Sequence, residues 1–200
     1  MPLTIKTLHG RDIASALPEI ARLRIEVFRE FPYLYEGNMA YEQHYLERYL
    51  HCPDAIAVLA LDGDQIVGVS TGLPLIAAEE DFQKPFLAHD LPVSDYFYCA
   101  ESVLQKSHRG QGLGHQFFDH REAHARQKFS HTCFCAVNRP HHHPLKPPGY
   151  HPHDSFWTKR GYTRKPHLEA HFTWQDLKEE TESKKSLTFW TKALVSSDQL

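Results

Sequence analysis

The run Arg109-Gly110-Gln111-Gly112-Leu113-Gly114 constrains this chain more than any other feature, because an apolar stretch ending at Val103-Leu104 precedes it and a helical pattern, His115 to Lys128, follows. Glycines at alternate positions admit left-handed backbone and let another molecule approach the main chain closely. The unpaired amides of a first helical turn, backed by the positive end of the helix dipole, attract anions. Strand, glycine loop and helix in that order predict an α/β fold with a phosphate-bearing ligand at the loop. Spacing excludes two common phosphate loops. A Walker loop ends Gly-Lys-Ser/Thr, whereas His115-Gln116 follows Gly114; the dinucleotide fingerprint reads G-x-G-x-x-G, whereas this loop reads G-x-G-x-G.

One domain spanning 1–200 is expected, since 200 residues at 41% hydrophobic and 24% charged can bury a single core without staples. A net charge of -3 supplies no basic field for nucleic acid or an anionic membrane, so neither partner is expected. The opening Met1-Pro2-Leu3-Thr4-Ile5-Lys6 lacks the apolar core of a signal peptide, and no window approaches the roughly 18 apolar residues of a membrane span. A cytoplasmic location follows as the expectation. Cys52, Cys99, Cys133 and Cys135 show no C-x-x-C spacing and read as small buried hydrophobes.

Periodicity then gives a coarse order of elements. Leu3 to Leu8 reads as a strand, and Pro18 opens a helix whose Ile20, Leu23, Val27 and Phe31 form one stripe. A helix near 40–50 carries Tyr41, Tyr45 and Tyr49 as a packing ladder. Ala55 to Leu61 and Ile66 to Leu73 form a hairpin across Asp62-Gly63-Asp64. Residues 77–93 lose periodicity around Pro85 and Pro92 and read as a connector, after which Ser94 to Leu104 is the central strand. A strand at 131–138 ends in Asn138, and a Pro- and His-rich connection to Asp154 follows, long enough to be a lid or wall. Leu168 to Trp174 and Leu187 to Trp190 read as a closing pair of strands, with Phe189-Trp190 as an exposed aromatic tail that permits a homodimer.

Arg109, Gly112 and Gly114 fit the pattern Arg/Gln-x-x-Gly-x-Gly/Ala, and in these residues the chain resembles the GNAT superfamily of N-acetyltransferases. The likeness extends to Phe156-Trp157-Thr158-Lys159-Arg160-Gly161-Tyr162, which looks like the family's closing helix. The stretch from Phe28 to Gly37, FREFPYLYEG, and Phe189-Trp190 look like a subgroup whose acceptor is unassigned. The resemblance implies a single α/β domain with a central mixed sheet, splayed at its two central parallel strands and flanked by helices. It implies acetyl-CoA as cofactor, its diphosphate cradled by Arg109, Gly110, Gln111, Gly112, Leu113 and Gly114. It also implies that the pantetheine arm pairs with the backbone of Val103, Leu104 and Gln105 and meets Asn138 at the exit of the neighbouring strand.

Acetyl transfer to an amine needs the amine neutral, and for an alkyl amine of pKa roughly 10.4 that costs about 4 to 5 kcal/mol at pH 7. A base or a desolvating pocket therefore helps such an amine, while an aromatic amine, already neutral, needs much less. Glu101 is the carboxylate inside the cofactor-bearing strand and the candidate catalytic base; Asp95, at the strand's start, is second. Trp157 stands where the family often places a thiolate-protonating Tyr, which leaves Tyr150, Tyr162 or solvent for that role. The acceptor pocket is expected from Phe31, Tyr33 and Tyr35, with Tyr98, Glu101 and Trp157 opposite, and suits a small amine. Direct attack in a ternary complex is expected, Cys99 being the one plausible thiol for a covalent route. The alternative is a non-catalytic acyl-CoA-binding or sensing protein on the same fold. No metal is expected: Arg121 stands where a zinc-protease pattern beginning at His120 needs Glu, and prolines interrupt His141, His142, His143, His151 and His153.

Overall fold

The computed structural model describes residues 3–194, so Met1 and Pro2 of the N-terminal reading lie outside the described residues. Its first strand, β1 (Leu3–His9), runs through a 3-10 turn into α1 (Leu17–Phe28), which has a proline in its first turn, and then α2 (Met39–Leu50), capped by the Asn38 side chain on the Tyr41 amide. The expected hairpin forms as β2 (Ile56–Asp62) and β3 (Gln65–Pro74), paired from Ile56↔Gly72 to Asp62↔Gln65. Gly63 supplies the left-handed turn residue, at φ 60°.

The segment read as a connector instead contains α3 (Glu80–Leu87), with Pro85 inside it. Two forces outweigh the proline. Phe82 and Phe86, one turn apart, bury against the sheet, and Glu80 and Asp81 sit at the positive end of the helix. Then come β4 (Tyr96–Leu104), α4 (Leu113–Ala125), β5 (His131–Val137), α5 (Asp154–Lys159), β6 (Thr163–Trp174) and β7 (Ser183–Ala193).

All seven strands form one sheet in the order β1-β2-β3-β4-β5-β7-β6. Its one parallel neighbour pair, β4 with β5, holds only at Tyr96↔His131, Phe97↔Thr132 and Tyr98↔Cys133. Beyond these residues the strands part. β5 stays paired with β7 along its whole length, from His131↔Ala193 to Val137↔Leu187, while β4 follows β3. A bulge adds to the divergence: Ser70 faces Ser102 but Gly72 faces Cys99, so β4 carries one residue more than β3. Such an extra residue bends its strand and increases the local twist. The expected mixed sheet, splayed at its centre, is therefore present, and it divides the molecule along a wedge.

Helices α1, α2 and α3 cover one face over a core that includes Ile20, Leu23, Leu46, Val69 and Phe189. Helix α4, with Phe156 and Trp157 of α5, covers the other over Val58, Phe97, Phe117 and Phe134. The Phe189-Trp190 segment is not an exposed tail. Strand β7 lies between β5 and β6, Phe189 is 0% exposed and Trp190 5%, and these aromatics belong to the two cores rather than to a dimer surface. Among the described residues no helix is long and apolar enough to cross a membrane.

Candidate active site

The wedge is visible in burial as well as in pairing. From Tyr96 to Cys99 β4 is buried, but Ser102, in the middle of a central strand, is exposed and Leu104 is half-buried. Across from them Cys135, Ala136 and Val137 of β5 are half-buried too. Alternation along the antiparallel β3–β4 pair decides which backbone groups face the gap. Gln105 donates its amide to the Val67 carbonyl at 2.9 Å, so Gln105 and Val103, two residues away, turn their groups toward β3. Ser102 and Leu104 turn theirs to the wedge. Of the three residues expected to meet a cofactor arm through the backbone, Leu104 turns its groups to the gap while Val103 and Gln105 turn theirs to β3; Ser102 also faces the gap.

The glycine loop sits at the wide end of this wedge. Gly110 and Gly112 have φ 77° and 80°, and a Cβ at either would meet nothing, so their positions open onto free space. Gly112 is the N-cap of α4 and no side chain caps that helix, which leaves first-turn amides at Leu113 and Gly114 facing outward. Gln111 is exposed beside them. Arg109 reaches back: its Nε donates to the Leu104 carbonyl at 3.0 Å, and its two terminal nitrogens grip Glu30 at 2.8 and 2.9 Å. Asn138 is fully engaged, donating to Glu169 and Ser186 and accepting from Thr188 and Arg164. It ties the end of β5 to β6 and β7.

Glu101 lies at the bulge and is 3% exposed. The extra residue turns its side chain to the α1/α2 face, where Arg24 donates to one carboxylate oxygen while Thr71 and, at 3.0 Å, Tyr49 donate to the other. Burial alone would push this carboxyl up, but Arg24 and the hydroxyl donors outweigh it and hold it below the usual carboxylate range. Arg24 also holds Glu42, 0% exposed, and stacks on the rings of Phe28 and Tyr45. On the opposite face Arg121, 1% exposed, reaches from α4 to the Thr71 and Glu101 carbonyls at 3.2 and 3.1 Å and to Ser102 Oγ at 2.9 Å. Two buried arginines therefore brace the bulge from its two sides. Both occupy apolar helical stripes, Arg24 beside Ile20, Leu23 and Val27, and Arg121 beside Phe117, Phe118 and Ala125; a charge at such a position was the available signal. Tyr49, read as packing, proves to be a donor to Glu101.

The expected acceptor residues divide between two places. Tyr98 is buried with its hydroxyl 3.4 Å from Cys135 Sγ, and Tyr33, raised in pKa by burial and by Cys135, lies near the same thiol, Arg24 and Glu101. Tyr35 stands farther along, beside Glu42, on the same face. Trp157 is on the other face of the sheet, 4.9 Å from Phe134 and 5.2 Å from Trp190 between ring centres, so it does not oppose Tyr98. It lines a cavity of about 440 Å³ together with Phe31, Tyr150 and Arg164. The Pro- and His-rich connection forms the wall of this cavity, its Tyr150 ring edge-on to Phe31 at 4.7 Å. Cys99 and Cys133 are buried with raised pKa values, and burial pushes the Cys135 thiol up to about 12. Tyr162, one of the candidate acids, is buried against Thr132 and Glu122, away from the wedge. Asp95 is exposed in a 3-10 turn before β4. Among the described residues no three His, Cys, Asp or Glu side chains converge as metal ligands.

A seven-stranded mixed sheet opened between two parallel strands, with a glycine loop and helix N-terminus at the opening, is the GNAT acetyltransferase fold. In particular, the chain superposes on the GNAT-family acetyltransferase of Streptococcus pneumoniae with a TM-score of 0.56 and 11% identity, covering 97% of this chain and 100% of that one. It superposes on yncA of Salmonella typhimurium, whose structure includes its cofactor acetyl-CoA, with a TM-score of 0.61 and 10% identity over 98% and 96% of the two chains. Ribosomal-protein-alanine N-acetyltransferase of Brucella melitensis gives 0.59 and 12% over 94% and 99%. No family model and no curated protein matches the sequence.

Proposed function

We propose that this chain is an acetyl-CoA-dependent N-acetyltransferase that acetylates a primary amine of a small molecule by direct attack in a ternary complex. The observation that carries the reading is the wedge between β4 and β5, which opens at its wide end onto an uncapped helix N-terminus. The residues present fit the cofactor. Gly110, Gln111, Gly112, Leu113 and Gly114 would hold the diphosphate on main-chain amides, with Arg109 as the nearby cation. Ser102 and the amide of Leu104 would offer the backbone groups for an amide-bearing arm laid into the gap like an added strand, the Leu104 carbonyl being taken by Arg109. Acetyl-CoA itself supplies an activated acyl thioester.

The chain's own residues then set conditions for the amine. Phe28 and Tyr33, with ring centres 4.6 Å apart, and the buried Tyr98 form an aromatic cluster on the α1/α2 side, an apolar surround that would disfavour a charged ammonium there. Glu101 is proposed as a positioning residue rather than the base: with Arg24 on one oxygen and two hydroxyls on the other, it is a fixed anion that anchors the bulge behind the gap. The unreactive Cys135 thiol favours direct attack over an acyl-enzyme. Calorimetry with acetyl-CoA, followed by thiol release over a panel of amines, tests the reading. Tight binding with amine-dependent thiol release is expected; absence of acetyl-CoA binding ends it.

One observation favours a second reading. Every carboxylate oxygen of Glu101 is already engaged, so the gap lacks an evident free base, as suits a protein that binds acyl-CoA without turning it over. Binding without thiol release for any amine would select that reading.

A further inference from the structure

The cavity beside β5 carries charge that the wedge does not use. Three cations lie on its wall, Arg139, Lys146 and Arg164, against one carboxylate, Asp154. Arg139 is spent: it donates to the Pro32 and Tyr33 carbonyls, both at 2.6 Å, and pairs with Asp176 at 2.5 and 2.9 Å. The other two are not. Arg164 donates through Nη2 alone, to the neutral oxygens of Asn138 and Thr188 at 3.4 and 3.2 Å, and Lys146 reaches only the His141 carbonyl at 3.4 Å. Neither makes an ion pair among the described residues, and Glu169 lies behind Asn138, off the wall.

Resting on the acetyl-transfer reading above, we propose that this cavity holds a carboxylate of the acceptor, so that the substrates are amines that also carry a carboxylate. The Nε and Nη1 hydrogens of Arg164, which its bonds to Asn138 and Thr188 leave unused, are donors for a carboxylate, and Lys146 adds a second positive charge. Phe31, Trp157 and Trp190 supply the apolar wall on which the body of a small ligand rests, and about 440 Å³ is room for one. Ala136 and Val137 of β5 border both this cavity and the wedge, so an acceptor anchored here needs to extend its amine by about one strand width, roughly 5 Å, to reach the gap. Asp154 faces the carboxylate site from the start of α5 and sets a limit on its net charge, leaving one positive charge in excess among the free groups.

The test uses the full chain and matched ligands, 4-(aminomethyl)benzoate and benzylamine, titrated calorimetrically with and without acetyl-CoA. The amino acid is expected to bind at least about tenfold more tightly than the amine that lacks the carboxylate. Substituting Arg164→Gln and Lys146→Gln together is expected to erase that preference while leaving acetyl-CoA affinity and Tm unchanged. Equal affinities within the pair, a preference that survives both substitutions, or no carboxylate binding at millimolar concentration overturns the proposal. If the carboxylate binds as described but acetyl-CoA neither binds nor releases thiol, the anion site stands and the acetyl-transfer reading falls.

Discussion

Gly112 and Gly114 are two residues apart and answer to different demands. Gly112 sits at φ 80°, so Gly112→Ala carries a backbone penalty of about 1 kcal/mol before any ligand is considered. At Gly114 an added Cβ would meet only Phe156, at an ordinary 3.7 Å. Gly114→Ala is therefore expected to keep both the wild-type Tm and the acetyl-CoA affinity, as suits a position where the resembled pattern reads Gly/Ala, whereas Gly112→Ala is expected to lower Tm. Scanning calorimetry beside ligand titration separates the two; a destabilised or weakly binding Gly114→Ala would contradict it. At Glu101 the decisive measurement is a pH–rate profile. Glu101→Gln is expected to lower turnover, leave acetyl-CoA affinity nearly intact and preserve the acid limb of the profile, since an anchored anion does not titrate in the working range. Loss of that limb would restore Glu101 as the base. Arg24→Met strands Glu42 and Glu101 without their shared cation and should cost about 3 kcal/mol or more, read by denaturant unfolding.

Among the elements, those with a strong local pattern were legible in the sequence: the β2–β3 hairpin, the glycine loop with α4, and the strand pair β6–β7. The misreadings have separate physical causes. Helix α3 carries a proline and only two turns, so its existence rests on burying Phe82 and Phe86, a tertiary contact that no window reports. The bulge in β4 depends on the count of residues in β3 opposite it, and this count decides which way Glu101 points. A carboxylate inside an apolar strand calls for a cavity or a partner, and the sequence does not say which; the extra residue sends Glu101 into the α1/α2 core, to Arg24, Thr71 and Tyr49. Trp157 and Tyr98 were joined in one pocket because sequence order does not say on which face of a sheet a helix lands. Covalent chemistry also belongs to this scale. Cys135→Ala and Cys99→Ala are each expected to retain acetyl transfer within about twofold if β5 and β4 serve as walls, since thiols of raised pKa are poor nucleophiles. Trapping of an acetyl-thioester on either would contradict direct attack.

For the whole molecule, acid should act in two stages. Burial lowers the pKa of His9 and His153 below 6.5, so the unfolded chain binds protons at these sites first and stability begins to fall as pH drops beneath that value. Glu101 is lowered from 4.5, and Glu179, held by the Asp176 amide and Lys185, is brought to about 2. Stability that both carboxylates contribute is present above 4.5 and is lost as pH falls from there toward 2. Tm measured from pH 8 to 3 is expected to decline gently below about 6.5 and steeply below about 4.5; a maximum near pH 4 would reverse the assignment.

Glu30 follows α1 and leads into the Phe31–Tyr35 stretch, whose Phe31 and Pro32 line the cavity beside β5, and its carboxylate is clasped by Arg109, the guanidinium that opens the glycine loop. An incoming diphosphate and this acid are rivals for one fork. Because the clasp is exposed, parting it costs about 1 kcal/mol or less, well within what a doubly charged newcomer returns. On the proposed reading, a diphosphate at the loop would release Glu30, and a cofactor that docks first would free the Phe31–Tyr35 stretch for whatever enters second.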